Sequence, residues 1–408
     1  MKRRQVLGLG VAAAARAALP EKTLLSSDPE AYWRRIRAEQ FLLPDWRVFL
    51  NNGSLGTAPR VVVDAVGAHL EKGAALVTNE YPRWGYETLD AERDEVASFL
   101  GGRRDELAFT HNATEAMSMI AGGLDLKAGD EVLITDQEHP SGRGPWYAKA
   151  ARFGITVREV KIPLPPKSPE QLAEVITSAF GPKTKVVSFS GILTTTGLIM
   201  PVRQICDAAR AKGILSVVDG AHMIGQVPFS VLELSCDYFA GSPHKWLFAP
   251  PGCGVLYVRE EAQDRLWPVV MTGNWDQKQL KAARYQMVGT NNRAIIAGLI
   301  EGLRFHKAIG SDVIYRRIHE LAKRVRARAA GMSQVELLTP EDDRMYAALT
   351  TFRFARGSTD LKPLWAECDR RRIWIIKSEN LRVSTHIHTR PSDIEELFEV
   401  IRETMPPA

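Results

Sequence analysis

The chain has 408 residues, 45% hydrophobic and 25% charged, a globular composition that excludes disordered, collagen-like and low-complexity classes. That length exceeds the roughly 250–300 residues at which one core stops growing, so two domains are expected. The formal charge is +5, but Lys2, Arg3, Arg4 and Arg16 crowd an acid-free N-terminus. The rest is nearly neutral and offers no concentrated basic face for nucleic acid. Four cysteines (Cys206, Cys236, Cys253 and Cys368) show no C-x-x-C spacing and are too sparse for a disulfide scaffold or a cysteine metal site. No apolar run is long enough to anchor the chain in a membrane.

Residues 1–20 carry a basic start, a short apolar stretch and the small-residue site Ala15-Arg16-Ala17, the pattern of an export signal. The pair Arg3-Arg4 followed by Val6-Leu7 resembles a twin-arginine signal and points to the periplasm. A basic tail on a cytoplasmic protein is the alternative. An N-terminal segment, 21–60, opens a helix at Ser26-Ser27-Asp28-Pro29-Glu30, with a cap, a first-turn proline and an acid.

Across 61–305, short apolar runs alternate with helical stretches. Seven strands are expected: Glu106–Thr110, Glu131–Thr135, Thr156–Lys161, Lys185–Ser190, Ile214–Asp219, Asp237–Ala240 and Gly254–Val258. Several are continuously apolar, with amphipathic helices at 170–180 and 202–212 between them. This is an α/β pattern, a mainly parallel sheet covered on both faces. A long helical stretch, 293–330, leads into a smaller α+β domain spanning 306–408, with strands near 347–355, 373–376 and 381–385 and a last helix from 392. Ligands on such sheets bind beyond the carboxyl ends of the strands.

Two of those ends carry an acid and an amine. Asp219 closes Val217-Val218-Asp219, and Lys245 follows the apolar Phe239-Ala240 in Ser242-Pro243-His244-Lys245. An acid and an amine converging on one sheet edge suit pyridoxal 5'-phosphate: the lysine takes the aldehyde, and the carboxylate keeps the pyridine nitrogen protonated. Ser242 and His244 flank the lysine as phosphate donors. Taken singly, a strand-end Asp and a surface Lys are ordinary structural residues.

The block from Val217 to Val258 resembles the class V aminotransferase group of fold type I pyridoxal-phosphate enzymes, which includes cysteine desulfurases, isopenicillin N epimerase-like proteins and kynureninases. The resemblance runs from about Phe49 to Glu399. It implies a pyridoxal-phosphate large domain with a seven-stranded sheet and a smaller C-terminal domain. It also implies that Ala113 and Thr114, in His111-Asn112-Ala113-Thr114-Glu115, cradle phosphate at a helix start. His139, in Glu138-His139-Pro140-Ser141, matches the histidine that stacks on the cofactor ring. Thr194 and His222 fall where desulfurases carry Asn and Gln beside the ring oxygen. Thr290, in Gly289-Thr290, matches the residue that reaches the phosphate of a partner subunit, which implies a homodimer with the site at its interface. Arg382 matches the arginine that clamps a substrate α-carboxylate, and Asn52 lies in a segment that approaches the same carboxylate.

The reaction is less determined, because one scaffold hosts many chemistries. An aminotransferase acting on an amino acid or amine is the reading by family weight. Epimerisation and carbon–sulfur lysis are alternatives, and a non-catalytic cofactor-binding protein is the alternative from another class. Desulfuration through a persulfide is disfavoured: Cys368 sits in a helical stretch before the strand at 373–376, and Lys377-Ser378-Glu379-Asn380 after it is short and lacks cysteine. Trp84, Trp146, Tyr285 and the Asn274-Trp275 loop are candidates for the substrate pocket.

Overall fold

A computed structural model describes residues 18–407 apart from 77–80, 82 and 356–359. The twin-arginine pair and the Ala15-Arg16-Ala17 site lie outside the described residues.

Seven strands form the main sheet: β1 Leu107–Thr110, β2 Glu131–Thr135, β3 Thr156–Val160, β4 Thr184–Ser190, β5 Leu215–Asp219, β6 Tyr238–Gly241 and β7 Gly254–Val258. Their order is β1-β7-β6-β5-β4-β2-β3. All neighbours are parallel except β7, which runs antiparallel to both β1 and β6. The continuous burial of β1, β5, β6 and β7 explains their unbroken apolar sequences. Successive side chains feed opposite cores. Phe189, Val218 and Phe239 enter one, while Val217, Tyr238 and Ala240 enter the other.

Asp28 caps the helix Pro29–Gln40, its carboxylate accepting from Ala31 N at 2.9 Å. The stretch expected as one helix over 293–330 is two, Arg293–Ile309 and Ser311–Ala330, broken at Gly310. Gly310 adopts φ 108°, which a side chain resists.

The smaller domain holds a three-stranded antiparallel sheet, β8 Val335–Leu337, β9 Leu349–Phe354 and β10 Leu381–Ser384, in the order β10-β9-β8. The strand expected at 373–376 shrinks to Ile373–Trp374, paired in parallel with Val48–Phe49 instead of joining that sheet. This pairing delivers residues 51–56 to the junction of the two domains, where Asn51 bridges to Ser384. No helix among the described residues is long and apolar enough to cross a membrane.

Candidate active site

Parallel strands β2, β4, β5 and β6 end along one edge of the sheet, with Ser190, Asp219 and Ala240 in register. A cavity of about 340 Å3 opens there, lined by residues that include Ala113, Thr114, His139, Thr194, Asp219, His222, Ser242, His244 and Lys245. A second cavity, about 460 Å3, shares Ser54, His139, Thr194 and Lys245 with it and reaches Arg382. Ten of the residues expected from sequence therefore meet in one continuous cleft. Thr290 and Asn52 line neither cavity.

At one end of the first cavity the helix Ala113–Gly123 begins. Its N-cap is Asn112, whose side chain accepts from Glu115 N at 2.9 Å, while Ala113 N donates to Ser242 Oγ at 3.0 Å. The positive end of this helix and the residues Thr114 and Ser242 thus face the cavity, an arrangement suited to an anion. The approach depends on Gly254, because a Cβ there would lie 2.5 Å from Asn112 N. His244 Nδ1 contacts Cys253 O at 3.0 Å, so that nitrogen carries the proton and Nε2 is left as the variable position. Burial holds the His244 pKa below its ordinary value.

Asp219 ends β5 and is buried. Its Oδ1 accepts from Ala221 N at 3.0 Å. Lys245 sits on the short helix Pro243–Trp246. Burial pulls its amine down to about 8, with Asp219 opposing the fall and Arg382 adding to it. An amine in that range is a far better nucleophile and base at neutral pH than an ordinary lysine.

His222 stands between the groups. Trp246 Nε1 donates to His222 Nδ1 at 3.3 Å, so the network assigns the proton of the neutral ring to Nε2. That Nε2 lies 3.2 Å from both Thr194 Oγ1 and Lys245 Nζ. Burial, then Lys245 and Arg382, keep the His222 pKa well below its ordinary value. His139 caps its own helix, Nδ1 accepting from Ser141 N at 3.1 Å. Burial and then Lys245 depress its pKa too. Both imidazoles are thus neutral N–H donors.

Arg382 is buried on β10 with only neutral partners. Nη1 donates to Thr194 O at 3.1 Å and Oγ1 at 2.9 Å; Nη2 donates to Asn51 Oδ1 at 3.2 Å and Ser54 Oγ at 2.8 Å. Its Nε has no partner at all. Burial pushes the guanidinium down to about 10. A buried cation without an anion is the signature of a site for one.

Several placements differ from the sequence-based expectations. Asn52 does not reach Arg382: it is fully buried, and its amide donates to Lys245 O at 2.7 Å. Asn51 and Ser54 hold the guanidinium instead. Thr290 is exposed. Trp84, Trp146 and Tyr285 are core residues, with Trp146 Nε1 donating to Ser188 Oγ at 3.0 Å. Trp275 is exposed and stacks on Trp267. All four cysteines are buried free thiols, and burial pushes Cys206 and Cys368 up to about 12. Sequence reasoning passed over Asn51, Ser54, Trp246 and Glu138. Glu138 had a signal, since it adjoins His139, but Ser190, which holds one of its oxygens, is 52 residues away.

The donor set fits pyridoxal phosphate. An anion cradle, a buried carboxylate for a ring nitrogen, N–H donors for a ring oxygen and an amine for an aldehyde surround one cavity. No cluster of metal-ligating side chains occurs among the described residues.

Comparisons with known proteins agree with this geometry. The model of the family "Aminotransferase class-V" matches residues 48–376. Isopenicillin N epimerase of Amycolatopsis lactamdurans is 31% identical over 395 residues, covering 91% of this chain and 98% of the relative. The enzyme of the same name from Streptomyces clavuligerus is 29% identical over 390 residues, with the same coverage of 91% and 98%. Among solved structures, an apo cysteine desulfurase from Thermococcus onnurineus superposes with a TM-score of 0.79 at 24% identity, covering 91% of this chain and 96% of that one. With cleft and family model in agreement, the chain belongs to the class V aminotransferases, enzymes of fold type I whose cofactor is pyridoxal phosphate.

Proposed function

We propose that this protein is an aminotransferase that removes the α-proton from an α-amino acid and passes it to the cofactor, not back to Cα, during exchange of the amino group. One observation carries the reading: the unpaired guanidinium of Arg382 opens onto the same cleft as the amine of Lys245, which burial holds near 8. Arg382 grips the α-carboxylate and so orients the Cα–H bond. Lys245 is the base, since His139 and His222 are both held neutral with one nitrogen already occupied. Bound pyridoxal phosphate supplies the electron sink for the charge left on Cα. Asp219 holds the ring nitrogen protonated, and His222 and Thr194 present hydrogen bonds toward the ring oxygen. Transamination needs one base, and the cleft presents one amine.

Epimerisation is the second reading. It is favoured by the similarity to two isopenicillin N epimerases over 98% of their length. It returns the proton to the opposite face of Cα, which requires a second donor such as His139.

The test begins with the absorbance spectrum of purified protein, borohydride reduction and mass spectrometry of the Lys245 peptide. A phosphopyridoxyl adduct on Lys245 is expected; none after added pyridoxal phosphate overturns the reading. A panel of amino acids in deuterated water then separates the reactions. Keto acid without a D-enantiomer supports transamination, and deuterated D-amino acid without keto acid supports epimerisation.

Two further readings belong here. A homodimer is supported by the exposed Thr290 and by the exposed apolar loop of Trp267, Val269, Val270, Met271 and Trp275. Light scattering showing a monomer at micromolar concentration removes it. Export to the periplasm rests on residues 1–20, and fractionation of cells carrying an Arg3→Lys, Arg4→Lys variant tests it.

A further inference from the structure

Beneath the ring end of the cleft lies a second carboxyl. Glu138 follows β2 and is buried. Its Oε1 accepts from Thr135 Oγ1 at 2.5 Å and its Oε2 from Ser190 Oγ at 2.6 Å. Ser190 is the register partner of Asp219 on the adjacent strand and lines the cofactor cavity. Glu138 and Asp219 also converge on Gly142: a Cβ there would stand 3.2 Å from Asp219 Oδ2 and 3.9 Å from Glu138 Oε2. No lysine or arginine pairs with Glu138 among the described residues. Its surroundings are two hydroxyls from β2 and β4, a glycine from the helix Pro140–Phe153, the neighbouring His139, held neutral, and the carboxylate of Asp219 from β5.

Resting on the pyridoxal-phosphate reading, we propose that Glu138 is a positioning residue for the cofactor ring: by holding or releasing a proton beneath the cleft it sets how much negative charge stands beside Asp219 at the pyridine nitrogen. Two carboxylates in one desolvated site cannot both ionise cheaply, so one takes the proton. Asp219 accepts from Ala221 N and lines the cavity, whereas Glu138 accepts from the hydroxyls of Thr135 and Ser190 and from the Ser190 backbone and does not line it. Burial pushes the Glu138 carboxyl up to about 7, with Ser190 and Thr135 opposing and Asp219 adding to the rise. Near neutrality Glu138 therefore gains or loses a proton, and the field at the ring follows.

The test is a pH titration, between about pH 5 and 9, of the visible band of lysine-bound cofactor in wild-type, Glu138→Gln and Ser190→Ala holoproteins. The wild type is expected to show a transition near neutrality. Glu138→Gln, a fixed neutral isostere, should lose that transition while keeping cofactor affinity within about threefold. Ser190→Ala should move the midpoint up by about one pH unit, because a donor to the ionised form is gone. An unchanged transition in Glu138→Gln, or a fall in its cofactor affinity beyond about tenfold, overturns the inference. If that variant does not unfold cooperatively, the midpoint in Ser190→Ala decides alone. A wild type that takes up no pyridoxal phosphate overturns both readings. One that takes it up, with an unaltered Glu138→Gln spectrum, overturns only this one.

Discussion

The amide of Asn52 donates to the backbone carbonyl of Lys245 at 2.7 Å, while its Oδ1 faces His388 Nε2 at 3.3 Å. Asn52 itself is fully buried, so its loss leaves these two neighbours without their partner. Asn52→Ala is expected to cost about 1–3 kcal/mol of stability and to loosen the helix that carries the lysine. Urea unfolding together with the rate of cofactor loss on dialysis measures both. A variant as stable as wild type that holds cofactor equally well refutes the assignment.

Arg382→Lys keeps the charge and loses the planar fork. For α-amino acids, kcat/KM should fall about 10- to 100-fold, equivalent to the roughly 1.5–3 kcal/mol of charged hydrogen bonds removed. Simple amines that lack a carboxylate should be affected far less. Equal losses for both substrate types would mean that Arg382 serves the fold and not the carboxylate.

The amine of apo Lys245 titrates near 8 against an ordinary value of 10.5. Only the neutral amine attacks an aldehyde, so cofactor capture by the apo-protein should accelerate up to about pH 8 and then level off. The same shift affects stability. Between about 8 and 10.5 the unfolded chain binds more protons at this residue than the folded one, so this group's contribution to stability rises with pH there. Stopped-flow reconstitution at several pH values provides the midpoint, and a rate still climbing at pH 10 contradicts a lowered amine.

The cysteines should be chemically silent. All four thiols are buried, and the Cys368 thiol is pushed up to about 12. Native protein is expected to resist iodoacetamide, and Cys368→Ala should keep turnover within about twofold while costing about 1–2 kcal/mol of packing. Persulfide on any cysteine after incubation with cysteine would reopen desulfuration.

The parts of the molecule that were legible in sequence are those set by local pattern. All seven strands were expected near where they lie, several of them from continuously apolar runs, and Asp219 and Lys245 could be placed at or just beyond strand ends. The direction of β7 could not, because an antiparallel strand buried on both faces has the same periodicity as a parallel one. Gly310 was hidden within a helical pattern that continues on both sides of it. In the cleft, choosing between Asn51 and Asn52 turned on one residue of register, which exchanges the two faces of an extended segment. Trp84, Trp146 and Tyr285 drew attention as large aromatics, yet large aromatics fill cores more often than pockets. Glu138 gains its setting from Thr135, Ser190 and Asp219, three residues on three strands, and no local signal could bring them together.

Residues 51–56 form a tether of fixed length. Asn51 and Ser54 hold Arg382 of the small domain, while Asn52 holds the Lys245 carbonyl and Gly56 N donates to His244 O at 3.0 Å. A Cβ on Gly56 would lie 2.1 Å from the Lys245 carbonyl oxygen, so no slack exists at that end. A carboxylate arriving at Arg382 competes with Asn51 and Ser54 for the same guanidinium nitrogen. The guanidinium of the small domain and the backbone that carries the amine are thereby joined through six residues of chain.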